Sequence, residues 1–345
     1  MLRSITTKGE IMTEITTVEK TPLNKRASSF IFKYWLGVLT ILVFVVFTIM
    51  EPRFASLRNV MNILSSTCTL GLVGIGVTIV FCCGEIDFSC GMELSAAAVM
   101  MAIVLDKKAF SNHYILVLGM TLIMLVLYGI LNVFLHVTIG IPSFIATMGT
   151  SLIATGICKY LTNSGSIYSK RWPAIFTYLG QGYVFKVIPV SVIILIIVGT
   201  IMWIYTEKTK NGKLLYAVGS NTTACKYVGI SVKQQKIKAF IICSVLCGLA
   251  GIIQSSQLNS ANPYMGDVSL INALTVLMLG ATFLRIGVFN IPGTLVASLL
   301  FQIISFGLVI VDAPGFLKDF IQGGILLFAL SFVTLVKKRQ NKSLG

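Results

Sequence analysis

Three acidic residues within nine positions are the side chains in this sequence most able to do chemistry. Glu85, Asp87 and Glu93 lie between two apolar runs, in the segment CGEIDFSCGMELS of residues 83–95. A carboxylate inside a membrane can carry a proton or an ion. Asp87 could instead cap the helix that follows Ser89 and interact with its N-terminal dipole. Glu93 falls about one turn into an apolar run, where a carboxylate needs a wet cavity or a polar partner.

Hydroxyl side chains are concentrated in the segment IPSFIATMGTSLIATG, residues 141–156. Several of them recur at intervals of three and four and so share one face of a helix. That face could bind the hydroxyl groups of a sugar, or its hydroxyls could bond back to their own helix. Both interpretations stay open. As candidate residues of a substrate pathway we take Asp87, Ser89, Glu93, Ser143, Phe144, Thr147 and Ser151.

Enzymatic catalysis and metal binding are not expected from the sequence. Cys243 and Cys247 share a helical face, but neither of the two histidines, His113 and His136, is near them in sequence. Most of the eight cysteines lie in apolar segments, so packing is their favoured role. The chain contains no nucleophile–base pattern and no phosphate-binding G-x-x-x-x-G-K-[ST] motif. We therefore expect no cofactor, and any ATP hydrolysis must occur in another subunit.

The elements that must position these residues are membrane-spanning helices. Hydrophobic residues make up 56% of the 345 residues and charged residues only 11%. A soluble protein of this length would carry about a quarter charged residues. The formal net charge is +15, but the cations lie in loops between apolar spans. No basic stripe with interleaved aromatic residues is present, which argues against nucleic acid as a partner.

The hydropathy pattern predicts an all-α, polytopic membrane bundle of about ten transmembrane helices, within a permease domain of residues 30–336. Residues 1–29 and 337–345 are predicted to be tails. An even number of spans places both tails on one side, and Lys and Arg favour that side by about two to one, as is typical of the cytoplasm. The predicted spans are residues 30–50, 59–83, 89–105, 114–138, 143–162, 187–205, 237–257, 269–284, 292–311 and 316–336.

A basic loop, residues 206–236, separates two of these spans. Seven lysines crowd it or its edges, and only Glu207 opposes them. Ser220 or Asn221 can cap a short helix through Val228 that Gly229 can end. Ser231 and Gln234 then form the pattern of a capping box for the next helix. The loop is either a docking surface or an ordinary polar connection.

Glycines within the apolar spans predict close helix packing. Gly71, Gly74 and Gly76 lie in the second span, and Gly248 and Gly251 lie in the seventh. Small residues allow helix backbones to approach one another in a membrane.

Three segments together resemble the permease subunits of ribose-type sugar importers of the ATP-binding-cassette class, in the branched-chain amino acid/ribose permease family. Residues 84–91 are similar to the family's Gly-Gly-Ile-Asp-Leu-Ser-x-Gly, and residues 142–149 to its Pro-Ser-Phe-Ile-Ala-Thr-Leu-Gly. Residues 212–230 are similar to its Gly-[RK]-x-x-Tyr-Ala-x-Gly-Gly-Asn-x-x-Ala-Ala-x-x-x-Gly-Ile, with Ser220 and Cys225 as replacements. The resemblance covers about residues 55–335.

The resemblance implies an importer of the bacterial inner membrane with two permeases, two ATPase subunits and a periplasmic or lipid-anchored sugar-binding protein. The second permease could be an identical or a different chain, and lipid surrounds both. The resemblance also implies that a coupling helix near residues 220–230 touches the ATPase. The candidate coupling residues are Tyr216, Gly219, Ser220, Asn221, Ala224, Lys226, Gly229 and Ile230.

Two departures from the family pattern affect this expectation. The late loop, residues 279–293, lacks three expected glycines and carries the bulky Phe283 and Phe289. Glu93 stands where the family usually has an apolar or small residue. The intramembrane carboxylates favour an alternative function, an ion-coupled secondary transporter that uses Glu85, Asp87 or Glu93 as its carrier.

Overall fold

The computed structural model describes residues 23–106, 113–168 and 172–342 of the chain. Its helices are α1 (Leu23–Met50), α2 (Leu57–Cys82), α3 (Cys90–Asp106), α4 (Tyr114–Val133), α5 (Ser143–Thr162), α6 (Ala174–Gln181), α7 (Val190–Lys208), α8 (Lys210–Ser220), α9 (Thr222–Tyr227), α10 (Val232–Leu258), α11 (Asp267–Gly280), α12 (Ile291–Ile310) and α13 (Gly315–Lys342). A 3₁₀ turn at Pro52–Ala55 precedes α2, and a π-helical segment at Phe134–Ile139 extends α4.

Two short antiparallel strand pairs connect the helices at one end of the bundle. Strand β1 (Ile167–Tyr168) pairs with β4 (Ser260–Ala261), with Ile167 opposite Ala261. Strand β2 (Tyr183–Val184) pairs with β3 (Ile188–Pro189) just before α7. All four strands lie in connections between helices and none forms a layer of the core.

The predicted all-α membrane bundle is confirmed. Within the described residues, eight helices are long and apolar enough to cross a membrane, and α3 and α11 are shorter apolar helices. These ten correspond in order to the ten predicted spans, and α5 has the predicted bounds of 143–162. The agreement follows from physics: in lipid a backbone must satisfy its own hydrogen bonds, so each long apolar run becomes a helix.

Helices α2 and α10 form the centre of the bundle. In α2 83% of the most apolar stretch is buried and in α10 61%, against 11% in α1 and in α13. A Cβ at Gly251 would collide with the backbone of Leu94 on α3, and one at Gly76 would lie 3.2 Å from the carbonyl oxygen of Cys243. The predicted close helix packing is confirmed at these two glycines. The outer helices present their apolar side chains where lipid would lie.

The segment predicted as a basic loop, residues 206–236, is largely helical. The sequence analysis missed α8, in which Leu215 and Val218 are fully buried. The Oγ1 atom of Thr209 caps α8 by accepting a hydrogen bond from the N–H of Gly212, at 3.1 Å. The three-residue spacing of Leu215 and Val218 was the sequence pattern that could have indicated α8. Two apolar residues make a short pattern, and lysines surround them.

The predicted short helix is present as α9, and the capping box is not. The Oδ1 atom of Asn221 accepts from the N–H of Ala224 at 2.8 Å, and Gly229 follows with a φ of +76°. Ser231 directly precedes α10, as predicted, but its side chain makes no capping hydrogen bond. Leu215 and Val218 hold α8 against the bundle. Tertiary packing therefore positions the start of α10, and no capping box is needed there.

Three further boundaries differ from the prediction. Helix α1 begins at Leu23 and α13 continues to Lys342, so the predicted tails are partly helical. Helix α6 lies in the connection between the predicted spans 143–162 and 187–205, where no helix was predicted. Residues 1–22, together with Lys170 and Arg171 of that connection, lie outside the described residues.

Candidate substrate pathway and coupling region

The acidic turn, residues 83–89, connects α2 to α3 and is held by hydroxyls of α5. The N–H of Ile86 donates to the Oγ of Ser143 at 3.3 Å, and the N–H of Phe88 donates to the Oγ1 of Thr147 at 3.0 Å. Both hydroxyls lie on the face of α5 that the sequence predicted. They bind the backbone of the turn, so in this conformation their role is to position its carboxylates.

Asp87 and Glu93 are buried and share the hydroxyl of Ser89. Asp87 and Glu93 are 0% and 1% exposed. The Oδ1 of Asp87 accepts from the backbone N–H of Ser89 at 2.8 Å and from its Oγ at 2.6 Å. The Oε1 of Glu93 accepts from the Oγ of Ser89 at 3.2 Å and from Ser244 on α10 at 2.5 Å. Asp87 therefore fixes the residue that precedes α3, and Glu93 has the polar partners that its position requires.

Two more side chains connect these carboxylates to α4 and α5. The Nδ2 of Asn132 donates to the Oγ of Ser89 at 2.9 Å, and the Oγ1 of Thr150 donates to the Oδ1 of Asn132 at 2.6 Å. Together with Asp87, Ser89, Glu93 and Ser244 these residues form the buried polar cluster. It joins α3, α4, α5 and α10 by hydrogen bonds in a low-dielectric interior, where each bond is strengthened.

The structure brings five of the seven predicted pathway residues together around the acidic turn. Phe144 projects from α5 with 43% exposure, and Ser151 lies on a later turn, where its carbonyl accepts from Thr155. A pathway role for the seven stays a prediction. The five that meet are Asp87, Ser89, Glu93, Ser143 and Thr147.

Glu85 forms an ion-pair triad with two basic residues. Its Oε1 lies 3.2 Å from the Nε2 of His136 and contacts the Nζ of Lys236, which is 3.0 Å from the same Nε2. Burial alone would raise the pKa of Glu85, but hydrogen bonds from His136, Lys236 and Ser143 outweigh it and lower the pKa to about 2. The carboxylate is therefore ionised, and it ties the acidic turn to α4 and α10.

The predicted coupling residues divide into an inward and an outward set. The hydroxyl of Tyr216 donates to the carbonyl of Phe289 at 2.8 Å, Gly219 lies against the backbone of Cys82, and Ile230 is half-buried. The outward set is Ser220, Asn221, Ala224, Lys226 and Gly229.

Sequence analysis missed the two most exposed apolar side chains of this region. Tyr227 ends α9 with 87% exposure, and Val228 follows with 73%. Large apolar side chains exposed beside lysines are typical of a surface that binds another protein.

The late loop, residues 279–293, is packed by its two bulky aromatic residues, Phe283 and Phe289. The Phe289 ring meets Phe81 edge-on at a centroid distance of 5.4 Å, and Phe283 meets Tyr34 at 5.9 Å. Arg285 pairs with Glu207 of α7 at 2.9 Å. Through Phe289, which also accepts from Tyr216, the loop contacts both α2 and α8.

An uncharged polar cavity of about 280 Å³ lies at the end of α10 that is opposite to α9. The Oε1 of Gln254 and the Oδ1 of Asn272 are buried, and neither accepts a hydrogen bond from any described residue. Gln257 donates to the carbonyl and hydroxyl oxygens of Ser65 at 3.1 and 3.0 Å. The cavity, called here the amide cavity, is lined by Ser66, Thr69, Leu70, Gln254, Gln257, Leu258, Met265, Val268, Ser269, Asn272 and Gln302.

The sequence analysis missed the amide cavity because it assigned no role to the amide side chains of the predicted spans. The available signal was a set of single amide residues inside apolar helices, such as Asn272 and Gln302. Such residues usually face the interior of a bundle or a wet cavity.

A second cavity, of about 240 Å³, lies between α3, α4 and α5. Its walls are almost entirely aliphatic, from side chains such as Val99, Met124 and Ile153, while Glu93 and Thr150 contribute polar atoms. This apolar cavity therefore borders the buried polar cluster.

The comparisons with known proteins identify the family. The family model described as "Branched-chain amino acid transport system / permease component" matches residues 59–330, which is most of the chain. The chain belongs to this permease family. It is therefore a multi-pass membrane permease, as the resemblance and the helical bundle predicted.

Three relatives of this chain have names that state a transported sugar or a transporter class. The ribose import permease RbsC of Bacillus subtilis is 30% identical over 304 residues, which are 86% of this chain and 90% of the relative. The galactose/methyl galactoside import permease MglC of Salmonella typhimurium is 25% identical over 337 residues, 92% of this chain and 99% of its own. The probable ABC transporter permease YphD of Escherichia coli is 28% identical over 321 residues, 93% and 95% respectively. No solved structure matches the chain.

Proposed function

We propose that this permease is the membrane subunit of an ATP-binding-cassette importer that carries a neutral sugar across the bacterial inner membrane. The relatives named for ribose and for galactose import support a sugar as the solute. Family membership favours this function over the ion-coupled secondary transporter. ATP is hydrolysed by separate subunits, and a periplasmic or lipid-anchored protein delivers the sugar.

The amide cavity is the observation that carries the proposal. Side-chain amides and hydroxyls can each donate and accept hydrogen bonds, as sugar hydroxyls do. None of the side chains that line the cavity is charged, which suits a neutral solute better than a phosphorylated or acidic one. The oxygens of Gln254 and Asn272 have no described donor, so a turn of either side chain toward the cavity would let its oxygen accept a hydrogen bond from a sugar hydroxyl.

The exposed end of α9 is the proposed docking surface for the ATPase. Tyr227 and Val228 offer apolar contact area, and Lys226 lies beside them. Motion of α9 would reach the bundle through α8, which packs Gly219 against α2 and bonds Tyr216 to the late loop. The basic α8–α9 side is then cytoplasmic, and the amide cavity faces the side from which the sugar arrives.

Uptake measurements in cells test the sugar pathway. In a strain that lacks this gene, we expect the wild-type chain to restore uptake of one labelled sugar from a panel of pentoses and hexoses. Asn272→Leu should not restore it, because the sugar loses a hydrogen-bonding partner and meets a branched apolar side chain. Gln322→Leu is the matched control, since Gln322 is buried on α13 and does not line the cavity, and it should restore uptake. Unchanged uptake of every sugar on deletion would contradict the proposal.

Photo-crosslinking tests the docking surface separately. A photoreactive residue at position 227 should capture an ATPase subunit in native membranes, whereas one at Tyr160, which is 83% exposed on α5, should not. The purified chain alone should hydrolyse no ATP. Equal capture from both positions would contradict the assignment of the surface to α9.

A further inference from the structure

Two thiols and a carboxylate converge in the core of the bundle, where α3 meets α10. Cys243 and Cys247 are one turn apart on α10, and their sulfur atoms are 3.8 Å apart. A carboxylate oxygen of Glu93 on α3 lies within 4.8 Å of both sulfurs. Cys243, Cys247 and Glu93 are at most 1% exposed. The sequence analysis saw only the two cysteines, because Glu93 is distant in sequence.

The separation of the two sulfur atoms is that of two ligands in a tetrahedral metal site. A Zn²⁺ ion binds thiolate sulfur at about 2.3 Å, so two sulfurs at a tetrahedral angle lie about 3.8 Å apart. The observed separation of the two sulfurs is the same. Cys90, also fully buried, lies within hydrogen-bonding reach of Cys247 but does not belong to the group of three.

The hydrogen bonds of Glu93 leave one of its oxygens free for a ligand role. Its Oε1 accepts from Ser244 and Ser89, whereas its Oε2 is buried with no hydrogen-bond partner among the described residues. The two hydroxyls thus fix the carboxylate in the way that outer partners orient the ligands of metal sites. An unpaired buried carboxylate oxygen is costly, and a bound cation would remove that cost.

We propose that Glu93, Cys243 and Cys247 bind a Zn²⁺ ion that fastens α3 to α10. The mixed sulfur and oxygen donor set favours zinc, since Cu⁺ prefers sulfur alone and Mg²⁺ or Ca²⁺ prefer oxygen alone. Binding releases the protons of the two thiols to solvent, and the ion offsets two of the three negative charges of its ligands.

Metal analysis of the full-length chain tests this site. The chain is purified in detergent without chelators, and its zinc content is measured by plasma mass spectrometry. We expect one zinc per chain. Cobalt added to the metal-free chain should give thiolate-to-cobalt charge-transfer bands and the strong visible bands of a tetrahedral site.

Variants separate a built site from thiol reactivity in general. Cys247→Ala and Glu93→Gln should lose the zinc and the tetrahedral cobalt bands. Cys158→Ala, which removes a buried cysteine of α5 outside the cluster, should keep both. Ser244→Ala keeps every ligand but frees the carboxylate, and it should weaken zinc binding by about 10–100-fold.

Two results would overturn the proposal. One is a wild-type chain that binds no more zinc than Cys247→Ala when both elute as single folded species. The other is equal loss of zinc in Cys158→Ala. If Cys247→Ala does not fold, Ser244→Ala decides, because unchanged zinc affinity there removes Glu93 from the site. None of these measurements depends on transport.

Discussion

At the α9 end of the bundle one ion-paired triad joins three helical elements, whereas at the opposite end a cavity is lined by neutral polar side chains, two of which keep an oxygen without a described partner. Glu85, His136 and Lys236 contact one another and join the acidic turn to α4 and α10. In the amide cavity, about 280 Å³ in volume, Gln254 and Asn272 each keep an oxygen without a described partner.

The difference separates a region built for stability from one built for binding. Each buried acceptor without a partner costs about 1–3 kcal/mol, so unpaired amides persist only where another requirement maintains them. Close backbone contact and ion pairs at the α9 end hold the helices together there. Substitutions at the two ends should therefore change stability in opposite directions.

The largest loss of stability is expected for Gly219→Ala at the α9 end. A Cβ at this position would overlap the carbonyl oxygen of Cys82 and lie 2.9 Å from the nitrogen of Gly84. Backbone atoms cannot move aside cheaply, so α8 would separate from α2 at a cost of about 1–3 kcal/mol. The midpoint of thermal unfolding in detergent measures the loss.

The matched control for that substitution is Gly149→Ala on α5. No atom lies within 4 Å of a Cβ built there, so the change should raise helix stability slightly. Equal melting midpoints for the two variants would show that the contact between α8 and α2 is loose.

A smaller loss is expected for Glu85→Gln. The amide cannot balance the charge of Lys236, and it accepts more weakly than a carboxylate from His136. Because the side chain of Glu85 is 13% exposed, water compensates in part. We expect the free energy of unfolding at neutral pH to fall by about 0.5–1.5 kcal/mol.

The pH dependence of the stability difference between the wild type and Glu85→Gln gives a sharper test of the triad. The pKa of Glu85 is lowered from 4.5 to about 2 in the folded chain, so the contribution of its carboxylate to stability is complete above pH 4.5. That stabilisation is lost as the pH falls from 4.5 towards 2, because the unfolded chain takes up the proton first. The gap between the wild type and Glu85→Gln should therefore narrow in acid. A constant gap from pH 7 to pH 3 would contradict the role given to Glu85.

The smallest change, and one of opposite sign, is expected for Asn272→Leu in the amide cavity. Leucine removes a buried oxygen that has no described partner, so the melting midpoint should stay the same or rise slightly. The same variant should lose sugar uptake. A melting midpoint as low as that of Gly219→Ala would mean that Asn272 supports the fold and would remove the contrast between the two ends.

Local sequence patterns were sufficient to predict part of the structure. The bounds of α5, the Asn221 cap and the Gly229 ending of α9 follow from neighbouring residues alone. Helix α8 was missed because its two fully buried apolar side chains are too few to show a helical period in a segment rich in lysine. The capping box at Ser231 was wrong because tertiary packing of α8 and α10 fixes that helix start without it.

The sequence by itself determined that this chain is a helical membrane bundle of the permease family with a basic region around α9, because length, apolarity and charge act over short distances along the chain. Only the tertiary structure decided which polar residues meet. It placed Glu93 beside Cys243 and Cys247, which are about 150 positions away, and it assembled the amide cavity from four helices. Contacts between distant helices depend on packing geometry, which no local pattern encodes.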